Sequence, residues 1–229
     1  YIASGAENEW TWRNNIAAFN HYQIVPRALT DMEDPQLDTE FMGMKLKTPV
    51  MIAPIACHGI THKDAEVATQ KGAAAAGALF SSSTYANKSV EDIAAAAPDA
   101  PRFFQLYLSK DWNFNKMVFD AVKKAGYKAI MLTVDALISG YREANLRTEF
   151  TYPVPLDFFN RYLGAKGEWQ SVAQMYAASA QKIGPKDVAR IKEESGLPVL
   201  IKGITCVEYA YKSLVAGSDV IYVTNHGCR

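Results

Sequence analysis

His226 stands in TNHGCR (224–229), directly after an apolar run at 219–225. A histidine at the C-terminal end of a strand can act as a base near neutral pH, and it can equally do no more than hydrogen-bond a loop. Arg229 follows three residues later. A guanidinium beside an imidazole suits an anionic substrate, because it can hold a carboxylate through two parallel hydrogen bonds. Arg142 supplies a second cation from a long loop; taken singly, either arginine also reads as a solvated surface residue. Lys202 ends the run LPVLIK and precedes Gly203. An ammonium in that place can be a Schiff-base nucleophile, a phosphate ligand or a counter-charge to an anionic cofactor ring. Gln105 and Tyr107 alternate in RFFQLYL and so share a face. An inward amide and phenol are costly unless they meet a polar ligand or each other, although Tyr107 also reads as an ordinary buried tyrosine.

These residues need strands to carry them. Short, continuously apolar runs lie at 49–55, 78–83, 102–108, 128–134, 197–203 and 219–225. Helical stretches separate them. Thr61 opens one, with an acid three residues on, and Gly77 closes it; Ser89 and Thr205 open two others, and a fourth runs from about 112 to 124. Short apolar strands alternating with helices predict a parallel sheet covered by helices. A doubly wound sheet and an eight-stranded barrel both fit this rhythm. Ser83, Gln105, Tyr107, Thr133, Asp135, Lys202, Thr224 and His226 fall at or just past the C-terminal ends of different strands. A barrel converges all such ends on one site, whereas a doubly wound sheet gathers mainly those at its switch point, so the barrel is favoured. Residues 135–184 break the rhythm and read as a lid over the site, carrying Arg142, Arg147, Tyr152, Arg161, Tyr162 and Tyr176.

Composition excludes other classes. Lys plus Arg equals Asp plus Glu at 24 each, so no global field draws the chain to nucleic acid or an anionic membrane. The three cysteines show no metal spacing and favour a reducing compartment. No apolar run is long enough to span a bilayer, and YIASGAENEW lacks the layout of a secretory signal, so a cytoplasmic location is expected. There is no GxGxxG after the first strand, no GxxxxGK[ST] and no HExxH; a Rossmann-bound nicotinamide and a metal site are both unsupported.

The strand-end motifs resemble those of the FMN-dependent L-2-hydroxy-acid oxidase and dehydrogenase family. The matching pieces are YIA (1–3), MIAPIA (51–56), SSSTY (81–85), FQLY (104–107), LTVD (132–135), SGYR (139–142), IKGI (201–204) and TNHGCR (224–229), in the family's order. The resemblance implies a TIM (β/α)8 barrel with FMN as cofactor. It implies oxidation of L-lactate to pyruvate with O2 as acceptor and H2O2 as product. Alternatives are another family activity, such as that of glycolate oxidase or lactate 2-monooxygenase, or an inactive fragment. His226 would take the α-hydroxyl proton while hydride leaves Cα for the flavin. Arg142 and Arg229 would clamp the carboxylate, with Tyr1 bonded to it and Tyr107 to the reacting oxygen. Tyr176 would close from the lid, and Tyr85 would lie behind the site or at its entry. Pro54, Ile55 and Ala56 would line the flavin, Ser83, Gln105, Thr133 and Thr224 would hold its ring or ribityl chain, and Lys202 would face N1 and O2. A homotetramer is expected from the same likeness. Cys228 departs from the small residue that the family has there. About six βα units precede residue 229, so the expectation is a single barrel domain truncated at both ends. The C-terminal units with the FMN phosphate site would then be supplied by another chain or by residues beyond these 229.

Overall fold

The computed structural model describes residues 2–31, 33–154 and 176–228. Its main sheet has five parallel strands, β3 (Phe80–Ser83), β4 (Arg102–Leu106), β5 (Ile130–Thr133), β6 (Val199–Ile204) and β7 (Val220–Val223). They lie side by side in chain order. A doubly wound sheet reverses direction at its switch point; this sheet advances one position each time, as a barrel wall does. The first expected strand, 49–55, contributes a single bridge: Ile52 N–H donates to the Leu79 carbonyl and Ser81 N–H to that of Ile52. Pro49 and Pro54 flank that bridge, and neither has an N–H to extend a ladder.

Among the described residues the helices are α1 (Trp10–Ala17), α2 (Ala65–Ala75), α3 (Val90–Ala96), α4 (Trp112–Lys124), α5 (Glu143–Arg147), α6 (Pro185–Ser195) and α7 (Val207–Val215). Local signals set several ends. Ser89 caps α3, its hydroxyl accepting from the Asp92 N–H at 3.1 Å. Gly77 takes φ +65 after α2, and the Ala78 N–H reaches back to the Ala73 carbonyl. Two expected caps are not used. α2 begins at Ala65 while Thr61 donates to the His58 carbonyl, and α7 follows Cys206 with no side-chain cap, leaving Thr205 outside. In the first case the loop before α2 folds its own 3-10 turn, His58–Ile60, and consumes the hydroxyl.

Alternation along the strands divides two environments. Phe104, Leu106, Ile130, Leu132, Val199 and Ile201 form one core with Val118, Phe119 and Val122 of α4 and Val188 and Ile191 of α6. Each fully buried side chain of this size contributes about 1.5–3 kcal/mol. On the opposite face Phe103, Met131 and Leu200 pack with Leu46 and Leu79. Leu46 belongs to a hairpin absent from the sequence reading, β1 (Thr39–Phe41) and β2 (Met44–Leu46). Its two-residue turn, Met42-Gly43, has φ +51 and +76, the geometry of a tight antiparallel hairpin. That second face is apolar at the N-terminal ends of the strands and polar at their C-terminal ends, where Ser83, Gln105, Thr133 and Lys202 are all buried. Of the expected lid, 155–175 lie outside the described residues, Arg161 and Tyr162 among them; the described part contains α5.

Candidate functional site

Buried polar side chains form a continuous row across the C-terminal ends of β3, β4 and β5. The Ser83 hydroxyl donates to Gln105 Oε1 at 3.1 Å, and Gln105 Nε2 donates to Thr133 Oγ1 at 2.9 Å. Thr84 ties the same strands through its hydroxyl on the Gln105 carbonyl at 2.6 Å. The next strand, β6, places Lys202 opposite Thr133. Its ammonium is buried, and that burial holds its pKa below the ordinary lysine value, with Asp135 opposing the shift. A desolvated cation beside a row of donors and acceptors is a site built to meet a polar, partly anionic ligand.

His226 lies one strand further, just past β7. Its Nδ1 is 2.8 Å from Asp135 Oδ1, its Nε2 is 3.2 Å from the Tyr107 hydroxyl, and Lys202 Nζ is 3.4 Å from Nδ1. The shortest contact, to a carboxylate, assigns the ring proton: Nδ1–H donates to Asp135, the Tyr107 hydroxyl donates to Nε2, and Lys202 stands beside the pair as a charge. Nε2 thereby keeps the lone pair that a base needs. The Tyr107 ring stacks on Tyr85 at 4.7 Å and lies nearly parallel to the imidazole at 6.4 Å. The Thr224 hydroxyl accepts the His226 N–H at 3.1 Å.

In the sequence Asp135 is one strand-end polar residue among several, with nothing to assign it a role, and the conformation of Gly203 is not directly legible there. Gly203 has φ +113, and a Cβ there would come within 2.5 Å of Asp135 Cγ. The β6–β7 register shifts between Lys202 and Ile204, so the glycine sits at a bulge. A glycine one residue before a strand's end was the available signal.

The loop after the Ile52 bridge carries Pro54, Ile55 and Ala56. Ile55 is 41 % exposed, and Ala56 packs on the main core. This loop is held from behind. The Cys57 N–H donates to the Tyr85 carbonyl. The buried Glu66 carboxylate accepts the N–H groups of His58, Asn87 and Lys88 at 3.1–3.2 Å. Burial pushes the Cys57 thiol up to about 12, Glu66 adds to the rise and the Arg142 charge opposes it. Arg142 itself is half-buried. Tyr176 is beside the loop after β4, since Ala180 N–H donates to the Leu108 carbonyl and Lys110 Nζ to that of Ala177. The structure thus gathers Tyr85, Tyr107, Ser83, Gln105, Thr133, Lys202, Thr224 and His226 at one end of the sheet. Tyr1 and Arg229 lie outside the described residues. Among the described residues no His, Cys, Asp and Glu cluster could hold a metal ion, and no helix is long and apolar enough to cross a membrane.

Comparison with known proteins gives this geometry a context. The sequence model of a family described as FMN-dependent dehydrogenase matches residues 1–229. An L-lactate oxidase of Lactobacillus jensenii is 76% identical over 229 residues, which are all of this chain and 56% of that protein. An L-lactate oxidase of Lentilactobacillus hilgardii is 49% identical over all of this chain and 62% of its own length. A crystal structure of a Pediococcus acidilactici lactate oxidase superposes with a TM-score of 0.94 at 48% identity, covering all of this chain and 61% of that one. The chain therefore spans between half and two thirds of the length of these relatives.

Proposed function

Because the chain belongs to the FMN-dependent dehydrogenase family, we propose that it carries the base and the flavin-ring contacts of an enzyme that oxidises L-lactate to pyruvate and passes the electrons to O2, giving H2O2. The observation that carries the reading is His226, fixed between the Asp135 carboxylate and the Tyr107 hydroxyl beside a buried Lys202. The identity to lactate oxidases supports the substrate.

The residues present fit an isoalloxazine ring. Ser83, Gln105 and Thr133 offer a buried row of donors and acceptors that would hold the ring, and Lys202 offers a desolvated cation that would stabilise negative charge on it. FMN, when bound, supplies the two-electron acceptor. His226 Nε2 takes the α-hydroxyl proton, and Asp135 stabilises the imidazolium that results. The Tyr107 hydroxyl moves its hydrogen bond from Nε2 to the substrate oxygen. Arg142 and Arg229 hold the carboxylate, with Tyr1 bonded to it, and so orient the Cα hydrogen. Pro54, Ile55 and Ala56 would line the ring, and the small Ala56 would leave space beside it. Thr224, which holds the His226 backbone N–H, would also contact the flavin. Residues 135–184, with Tyr176, act as the lid.

The β7 edge has no strand partner among the described residues, and Val207, Tyr211 and Val215 of α7 are 69–86 % exposed. We infer that further βα units bearing the FMN phosphate site cover this face, from another chain or from a longer form of this one. The family kinship also underlies two further proposals, a homotetramer and a cytoplasmic location, which sedimentation velocity and cell fractionation test.

The function is tested by anaerobic addition of L-lactate to the flavin-loaded protein. Bleaching of the yellow absorbance, recolouring by air and near-stoichiometric peroxide are expected. Acetate and CO2 in place of pyruvate, or glycolate turned over faster than lactate, would replace the reading by another family activity. His226→Gln is expected to retain flavin and slow its reduction by at least about 1,000-fold, within the range that acid–base catalysis supplies; unchanged reduction removes His226 as the base.

A further inference from the structure

Three successive residues at the site take left-handed backbone angles: His226 at φ +61, Gly227 at +62 and Cys228 at +65. Glycine adopts this region freely, whereas histidine and cysteine do so at a cost and persist there only where surrounding contacts over-determine them. Within the loop, Cys228 N–H donates to the Asn225 carbonyl and His226 N–H to Thr224 Oγ1. The His226 ring is held by Asp135 and Tyr107, and the backbone and ends of the loop are tied to the far end of the chain. Ala6 N–H donates to the Cys228 carbonyl at 2.7 Å. Asn15 and Asn225 exchange side-chain amide hydrogen bonds, at 2.8 Å from Asn225 Nδ2 to Asn15 Oδ1 and at 3.3 Å in return. Asn15 Nδ2 also donates to Cys228 Sγ at 3.1 Å.

We propose that Asn15, on α1, is a positioning residue for the loop that carries His226, a role that rests on His226 being the base. The helix around it buries no residue, so it adds little to the core, and its links to this loop are polar and directional. An amide is suited to the position because it donates to Cys228 and Asn225 while accepting from Asn225; a carboxylate could only accept. The segment before Asn15 reaches the other side of the site as well. Glu7 N–H donates to the Tyr141 carbonyl at 2.6 Å and the Ser4 hydroxyl to Asn145 Oδ1 at 3.1 Å, on either side of Arg142. Residues 4–15 therefore strap the loop after β7 to the loop after β5. Releasing Asn15 lets the strained loop relax and carries the imidazole away from Asp135 and Tyr107.

The test uses flavin-loaded protein with 15N-labelled histidine. The chain has four histidines, so the Nδ1–H signal of His226 is assigned by its absence from His226→Gln. In Asn15→Ala this hydrogen-bonded signal is expected to disappear or broaden by exchange. Flavin reduction at saturating L-lactate is expected to slow by about 10- to 100-fold with KM little changed, as for a displaced reacting group. Flavin content and Tm should match Arg13→Ala, a control on the same helix. Asn225→Ala removes the same pair from the loop side and decides the matter if Asn15→Ala does not fold. A retained signal and wild-type reduction in whichever variant folds overturn the proposal. Failure of the unmutated protein to be reduced by L-lactate would instead remove the proposed function, while the Nδ1–H signal still reports whether Asn15 holds the loop.

Discussion

At the scale of single residues, Asp135 and Gly203 share one constraint. Asp135 reaches His226 only because β6 presents no Cβ at residue 203, where one would stand 2.5 Å from the carboxyl carbon and 2.6 Å from Asp135 Cβ. φ +113 at that residue disfavours any side chain independently. Gly203→Ala is accordingly expected to push Asp135 off Nδ1 and to slow lactate-driven flavin reduction by about 100-fold, the order of loss for a reacting group misplaced by an ångström. Stopped-flow absorbance measures it; a wild-type rate would mean that Asp135 does not set the imidazole. Cys57 and Cys206 contrast at the same scale. Cys57 is buried with its thiol pushed up to about 12 and so stays protonated, whereas Cys206 is exposed.

At the scale of elements, the caps show how far a local signal reaches. Ser89, Asp92 and the start of α3 agree between sequence and structure because the donor and acceptor lie three residues apart and need no distant partner. Ser89→Ala is expected to cost about 1 kcal/mol of stability. Urea unfolding checks it, and a loss below about 0.3 kcal/mol would show that α3 is held by its buried Val90 and Ile93 instead. Thr61 carried a similar local pattern and was overruled. The segment before α2 is organised by Glu66, whose carboxylate draws in amides of His58, Asn87 and Lys88 from two loops. That choice depends on groups about twenty residues apart, which a helix-start pattern does not contain. The β1–β2 hairpin was missed for a related reason. Its strands are three residues each, too short for an alternation to be read, and Met42 at φ +51 gives no composition signal for its turn.

At the scale of the whole molecule, the proposed flavin site assigns the donors gathered at the strand ends to a flat ring and its chain rather than to a phosphate. If the phosphate site belongs to units that cover β7 and α7, the 229-residue chain should bind riboflavin and FMN with Kd values within about threefold of each other, since a phosphate left in water contributes no net charge-assisted hydrogen bonds. Fluorescence quenching titrations decide this, and a tenfold preference for FMN would place the phosphate site within these residues. The same scale settles the architecture. Five parallel strands in unbroken chain order distinguish a barrel wall from a doubly wound sheet, a choice the strand rhythm alone left open.

The five strands of the main sheet and the face each polar residue shares were determined by the sequence itself, because alternation and apolar runs are local properties of the chain. Ser83, Gln105, Thr133, Lys202 and His226 were legible as strand-end residues for that reason. What joins them was decided by tertiary structure. The Asp135–His226 contact spans ninety-one positions and the Asn15–Asn225 pair two hundred and ten. Neither leaves a periodic trace, since a hydrogen bond between distant segments constrains only two residues and the path that brings them together. The chemistry of His226 was therefore written in its residue type, and its tautomer, its partner and the strained loop that aims it came from the fold.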